Sequence, residues 1–464
     1  MNEKKGSGMS RYVFKATGLI LFVLVLIAGG YYWYVCHKPV GRVLNIYCWD
    51  NSFEQVLAKY YPAYDREKKC IGDVKVHWII VPSTDNIYQT TVDKALAEQD
   101  EVSADERIDL FLSEADSVRK YTGTAETSLS MSELGITEEE LQEQFSYTRE
   151  AATDDGGNQR GISWQACPGV MIYRRDIAQQ VFGTDDPAVI QQQVADWSKF
   201  EQAPDLLLAA GHPMLAGYFD TYRVFASNRS QAWVNDQQEI QLDPALRAWR
   251  DQTKRFTRQG KNGPCNLWEK GWSAQIRGAV FCYFGPAWMI NYALKPLSLA
   301  ETVADGGKEQ LGNGTFGKWA VCEGPQPFFW GGSWLCAAKD TDNAALIADI
   351  MRTLCCREDT TMKMAVDGVE FLNNRKVMEK LAHDRDFSMP FLGGQNAYSI
   401  MYDVADKLVL PNRLTPYDQG MNESFQAATR EYFDGRISEE ASWQKFLATA
   451  WLQYPELQSA SFVR

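Results

Sequence analysis

The 464-residue sequence predicts an α/β fold built on a parallel sheet. Three short apolar, β-branched runs read as buried strands: "RVLNIYCW", "DVKVHWIIVP" (stopped at Pro82) and "RIDLFLSEAD". Two amphipathic stretches separate them. In "NSFEQVLAKYYPAYDREK", Phe53, Val56, Leu57 and Tyr60 share one helical face, and "NIYQTTVDKALAEQ" is helical as well. Strand–helix–strand–helix–strand at this spacing requires right-handed crossovers and hence parallel pairing. In such sheets ligands sit beyond the carboxyl ends of the strands. Those ends are Trp49-Asp50, Pro82-Ser83 and the run Ser113 to Asp116.

The elements continue in order. "GISWQACPGVMIYRRD" holds two strand-like runs around Pro168-Gly169, and "ADWSKFEQAPDLLLAAG" is helical. The aromatic-rich "GYFDTYRVFASN" leads to the helical "LRAWRDQTKRFTRQG". "GAVFCYFGPAWMINYAL" reads as a strand, a Gly-Pro turn and a helix, and "FGKWAVCEGP" as another strand. "PQPFFWGGSWLCAAKD" is harder to place. Gly331 and Gly332 weaken a strand interior and mark a bulge or a close backbone approach, yet four large aromatics surround them. It is either an aromatic platform on a bend at a pocket mouth or a core strand entered through a bulge. "DNAALIADIMRTLCC" is an amphipathic helix, and the carboxyl third is mostly helical.

Composition sets further bounds. The length allows two to three domains. The net charge of −13, with only scattered basic pairs after residue 42, excludes a nucleic-acid partner. The ten cysteines form no CxxC and no zinc spacing, so no metal and no cofactor are assigned. Cys48, Cys282, Cys322 and Cys336 lie in apolar runs and read as small buried hydrophobes. Of the four histidines none lies in HExxH, and no GxSxG elbow is present, so no catalytic residue is assigned.

Residues 16–35 form an uncharged run long enough to cross a bilayer. Lys4, Lys5, Arg11 and Lys15 precede it, which holds the amino end in the cytoplasm. Tyr31 to Tyr34 form an aromatic belt at the outer face. A cleaved signal would need a better small-residue site than Ala28-Gly29-Gly30, and a lipidated Cys36 a small residue before it. A single uncleaved anchor with an extracellular body is the expectation.

Six motifs in order, "LNIYCWDNSFEQVL", "IDLFLSEADSVRKY", "GISWQACPGVMIYRRDI", "ADWSKF", "GAVFCYFGPAWMI" and "WGGSWLCAAKDTDNAALIADIMRTL", resemble the extracellular solute-binding proteins of sugar ABC transporters, the maltose-binding-protein-like family. The likeness runs from about Arg42 to the carboxyl terminus. It implies two α/β lobes of discontinuous chain that close on a ligand like a hinge. Residues 1–41 would be a cytoplasmic stub, anchor and linker, 42–167 plus 324–358 lobe one, and 168–323 plus 359–464 lobe two. Hinges would fall near Pro168-Gly169, Cys322-Glu323 and Cys355-Cys356. The implied function is delivery of a mono- or oligosaccharide to ABC permease subunits, by a monomer.

Sugar C–H faces stack on flat aromatic rings, and sugar hydroxyls need directional donors and acceptors. Candidates at strand ends and turns are Trp49, Asp50, Glu114, Asp116, Trp164, Gln165, Tyr218, Asp220, Trp288, Trp330, Gly331, Gly332, Gln395 and Asn396. Each Trp has a core role as its competing reading, and Asp50 and Asp220 have a helix cap. A glycoside hydrolase would need two facing carboxylates, for which Glu114 with Asp220 is the pairing to test. A binder of polyamine or amino-acid-like cations is the third reading.

Overall fold

The computed structural model describes residues 43–458, apart from 369 and 411–413, together with 462 and 463. The expected anchor at 16–35 lies outside the described residues. Among the described residues, no helix is long and apolar enough to cross a membrane.

The first half builds β1 (Val43–Cys48), β2 (Tyr64–Asp65), β3 (Cys70–Ile71), β4 (Val74–Ile80), β5 (Leu110–Glu114), β6 (Ile162–Ser163) and β7 (Pro168–Arg174). The rest adds β8 (Leu215–Gly217), β9 (Ile240–Gln241), β10 (Asn262–Cys265), β11 (Cys282–Gly285), β12 (Trp319–Cys322), β13 (Phe328–Phe329), β14 (Ser333–Ala337) and β15 (Phe462–Val463). The three runs expected as strands are β1, β4 and β5. β1 pairs in parallel with both others, Cys48 facing Ile80 and Ile46 facing Leu110. The crossovers carry the helices Ser52–Tyr60 and Ile87–Ala97. The first buries Phe53, Val56, Leu57 and Tyr60, the face its spacing foretold.

These strands lie in a seven-stranded sheet of order β2-β3-β4-β1-β5-β14-β6. β14 arrives from far along the chain and pairs antiparallel with β5, Ser333 facing Glu114. The short β2 and β3 extend the edge beside β4 and had no strand-like pattern in the sequence. A second sheet has β7 at its centre, antiparallel to β11, β12 and β13. Every residue of β7 is buried. Gly169 is needed where β13 crosses it, because a Cβ there would lie 2.2 Å from the Phe328 ring.

Two crossings join the sheets at one place. The chain leaves β6 for β7 through Trp164 to Cys167, and returns from β13 to β14 through Trp330 to Gly332. The return thus comes later in the chain than Cys322-Glu323, which ends β12 inside the second sheet. Cys355 is buried in the core that also holds the strands of the first sheet, as are Met364, Val377 and Met378 of the helices that follow. The helix Ala397–Lys407 packs against β7 and β12. The helices Pro244–Gln259, Asp418–Phe433 and Glu439–Gln453 share a separate aromatic core of Trp233, Trp249, Phe425 and Phe446. All nine described cysteines are unpaired, and Cys48, Cys282, Cys322 and Cys336 are buried, as apolar runs require.

Candidate functional site

At the return crossing Gly331 and Gly332 hold φ of +77° and +107°. L side chains rarely adopt such angles, so the pair bends the chain sharply between β13 and β14. The bend sets Trp330 between the two bodies, in contact with both hydrophobic cores. A Cβ on Gly331 would sit 3.2 Å from Trp288 Nε1 and 3.6 Å from Glu114 Oε1. Three elements therefore meet at one point: the end of β5, the crossing, and the turn after β11.

Trp288 follows the Gly285-Pro286 turn and opens the π-helix Met289–Leu294. Its Nε1–H donates to the Trp330 carbonyl at 3.1 Å, and the two rings stand 4.8 Å apart at 75°. The edge-on arrangement leaves both indoles only partly buried. Next to them a pocket is lined by Ala115, Asp116, Arg223, Ala226, Trp330 and Gly331. Arg223, on the helix Tyr222–Ser227, donates to both oxygens of Asp116 at 2.7 and 2.8 Å. Its guanidinium lies 5.7 Å from the Trp330 ring centre. Asn86 and Glu423, joined by a 3.0 Å hydrogen bond, add a second contact between segments far apart in sequence.

Charge in this cleft is unbalanced. Arg223 pairs directly with Asp116, and among the described residues no salt bridge within 4 Å reaches Glu114 beside it. Burial, then the Asp116 carboxylate, push the Glu114 carboxyl up to about 7, with Glu423 adding to the effect and Arg223 opposing it. Glu370 is only 1% exposed. It stands across from Cys167, because Ala166 donates to the Phe371 carbonyl and Gln165 bridges Leu372. Neither Glu370 oxygen has a partner of full hydrogen-bond geometry. Burial raises its carboxyl well above the usual carboxylate range, although the Gln165 side chain and the Phe371 N–H pull it down.

The sequence candidates divide accordingly. Glu114, Asp116, Trp288, Trp330, Gly331 and Gly332 come together. Gln165 joins them from the outgoing crossing, its carbonyl near Gly332. Trp49 and Asp50 lie at the end of β1 on the same side of the sheet: Trp49 packs edge-on against Tyr88, and Asp50 accepts from the Ser52 N–H at 2.8 Å. The others serve the fold. Trp164 is buried and stacked on Phe53. Tyr218 is buried with its hydroxyl on Asp434. Asp220 is buried and accepts from the Ala216 and Gly217 N–H groups and from Trp272 Nε1, so its carboxylate is fully used and does not face Glu114 as a catalytic partner. Gln395 bonds both backbone groups of Val321, and Asn396 caps the helix Ala397–Lys407.

Arg223, Trp268, Glu370 and Glu423 were not among the sequence candidates. Trp268 and Glu370 sit in loops without apolar periodicity, and Arg223 and Glu423 in helices whose polar residues all look alike in one dimension. "FDTYRVF" offered one signal, an arginine amid aromatics after a short strand.

Two α/β bodies joined by adjacent strands, with aromatic and acidic groups gathered at the junction, define a cleft-binding protein of the periplasmic-binding-protein type. The chain belongs to the bacterial extracellular solute-binding protein family, whose model matches residues 66–382. Comparison with curated proteins gives no match. Solved structures similar to the chain include an extracellular solute-binding protein of family 1, at 18% identity and TM-score 0.69, covering 88% of this chain and 98% of that one. The ABC transporter associated binding protein of B. animalis subsp. lactis, in complex with β-1,6-galactobiose, is similar at 15% identity and TM-score 0.64, with 91% and 100% covered. The galacto-N-biose/lacto-N-biose I-binding protein of Bifidobacterium longum, in complex with lacto-N-biose, is similar at 12% identity and TM-score 0.62, with 90% and 97% covered. At such identities the likeness shows the fold.

Proposed function

We propose that the chain is the extracellular substrate-binding component of an ABC importer, which takes up a mono- or oligosaccharide between its lobes and hands it to a membrane permease. The observation that carries this is the meeting of Trp288, Trp330, Glu114 and Gly331 at the crossing between the two sheets. Two partly buried indoles supply stacking area, and Glu114, Asp116 and Gln165 supply acceptors and donors for hydroxyls. The sugar complexes of structural neighbours support the same reading. The cleft positions its carboxylates for binding; with Asp220 consumed by the fold, we assign no hydrolysis. Lobe one would comprise 43–167 and 330–358, since β13 still pairs with β7 of the second sheet, with the helices Glu358–Val366 and Arg375–Ala382 added on packing grounds. Residues 16–35 would anchor a monomeric body at the outer face of the membrane.

A thermal-shift screen of the purified chain against mono-, di- and trisaccharides tests the function, because a ligand of the folded state raises its melting temperature by mass action. A rise with at least one sugar is expected; no shift across a broad panel refutes the reading. The paired acids Glu114 and Asp116, facing the single arginine Arg223, favour a second reading, a cationic solute. Binding of a polyamine that weakens steeply with added salt would establish it.

A further inference from the structure

Beside the central pair lies a third indole with an unusual backbone. Trp268 is 53% exposed, yet it holds φ of +69°. The left-handed region is rare for a non-glycine residue and a true outlier for a bulky one, and such strain persists only where the surroundings impose it. Here they do. Asn266 donates from its backbone and its side chain to the Glu269 carboxylate at 3.0 and 3.1 Å, and the Glu269 N–H returns to the Asn266 carbonyl. Arg430 fixes the same carboxylate from the helix Asp418–Phe433. The turn is clamped on both sides of Trp268, and a glycine would meet its backbone demand without strain.

The clamp sets the Trp268 ring on two others. It lies 5.3 Å from Trp272, a buried residue whose Nε1–H is held by Asp220, and 6.1 Å from Trp288. Trp330, Trp288 and Trp268 are thus linked in a chain of ring contacts that begins at the crossing and ends at the exposed Trp268, at spacings of 4.8 and 6.1 Å. Each step is on the scale of one sugar ring. Trp272 gives the outer ring a rigid backing, so Trp268 presents area without gaining burial of its own.

We propose that Trp268 is an outer stacking platform of the cleft, and that the solute is therefore an oligosaccharide whose second ring rests on it. The proposal stands on the sugar reading above and names the length class that this reading leaves open. Two homologous series, galactose with β-1,6-galactobiose and -galactotriose, and glucose with maltose and maltotriose, are titrated calorimetrically into the full chain, Trp268→Ala and Trp268→Gly. In the series that binds, wild type should gain at least tenfold in affinity from mono- to disaccharide. Both variants should lose most of that gain while monosaccharide affinity stays within twofold. Trp268→Gly, which suits the left-handed backbone, should melt no lower than Trp268→Ala, and keeps the test readable if the alanine variant folds poorly. Wild-type chain-length dependence retained in both variants overturns the platform and leaves the sugar reading standing. Wild type that binds no member of either series overturns both.

Discussion

The Glu114 carboxyl gives the cleft a pH dependence whose sign is fixed by its surroundings. Its value moves from an ordinary 4.5 to about 7, first through burial and then through Asp116, with Glu423 adding and Arg223 opposing. Because its folded value is raised, the protonated form is the one the folded structure prefers. The associated stability is fully present below pH 4.5 and is lost as pH rises through about 7. The full difference is worth about 3 kcal/mol. Glu114 keeps partial contact with water, so a loss of about 1–2 kcal/mol is the expected size after solvent screening. Glu114→Gln is neutral at every pH and removes this dependence.

The assay is urea unfolding of wild type and Glu114→Gln at pH 5, 6, 7 and 8. The variant should overtake wild type as pH rises, with the difference growing by about 1–2 kcal/mol between pH 5 and pH 8. Arg223 and Glu423 face Glu114 from the second body, so lobe opening gives the carboxylate water and lowers the cost of ionisation. Small-angle scattering should then show wild type expanding at pH 8 and the variant keeping its radius of gyration. A stability difference that stays flat across the range, with the same radius for both proteins, would refute the assignment of Glu114 to a closing cleft.

Three further outcomes follow from the same geometry. Gly169→Ala places a methyl 2.2 Å from the Phe328 ring, and should lower stability by about 1–3 kcal/mol in a denaturant titration; an unchanged midpoint would mean that the ring moves aside freely. Asp116→Asn leaves the partly buried Arg223 without its counter-charge and should weaken closure by about 1–3 kcal/mol, read as a larger radius of gyration without ligand. Trp288→Ala should weaken binding of any sugar found in the thermal screen by about 1–3 kcal/mol; a large fall in melting temperature with unchanged affinity would return Trp288 to the core.

The sequence shows pattern, and pattern reports burial more readily than facing. The strands β1, β4 and β5 and the helix Ser52–Tyr60 were legible because their apolar spacing has one physical solution. Their parallel pairing followed from crossover length. The short β2 and β3 were not, since two-residue strands carry no period. Among the tryptophans the limit is sharper. Trp164 and Trp288 both lie beside strands and turns, yet Trp164 stacks on Phe53 in the core while Trp288 faces the crossing. The difference lies in contacts to residues well outside the local stretch, Phe53 for Trp164 and Trp330 for Trp288, to which local composition is blind. The structure puts Gln395 and Asn396 to structural use for a related reason. Amides suit sugars, but they suit backbone edges and helix caps equally well, and here Val321 and the helix Ala397–Lys407 use them.

The glycine pair was visible in the sequence, and the structure shows that its two readings describe one device. Phe328 and Phe329 are buried in β13, and Trp334 is buried in β14, so most of the aromatic surface does belong to strands. Only Trp330 falls on the bend itself. A chain passing from one sheet to the other must turn out of both planes, and two successive residues at positive φ achieve that within the length of the crossing. The same absence of side chains lets Trp288 and Glu114 close on the backbone from opposite bodies. A methyl at Gly331 would meet the Trp288 indole at 3.2 Å, so the ring would have to give by a few tenths of an ångström, and φ of +77° would strain any side chain there. The bend and the binding surface therefore share one cause: the backbone at the crossing is bare, which permits the turn and brings groups from both sheets within reach of one solute.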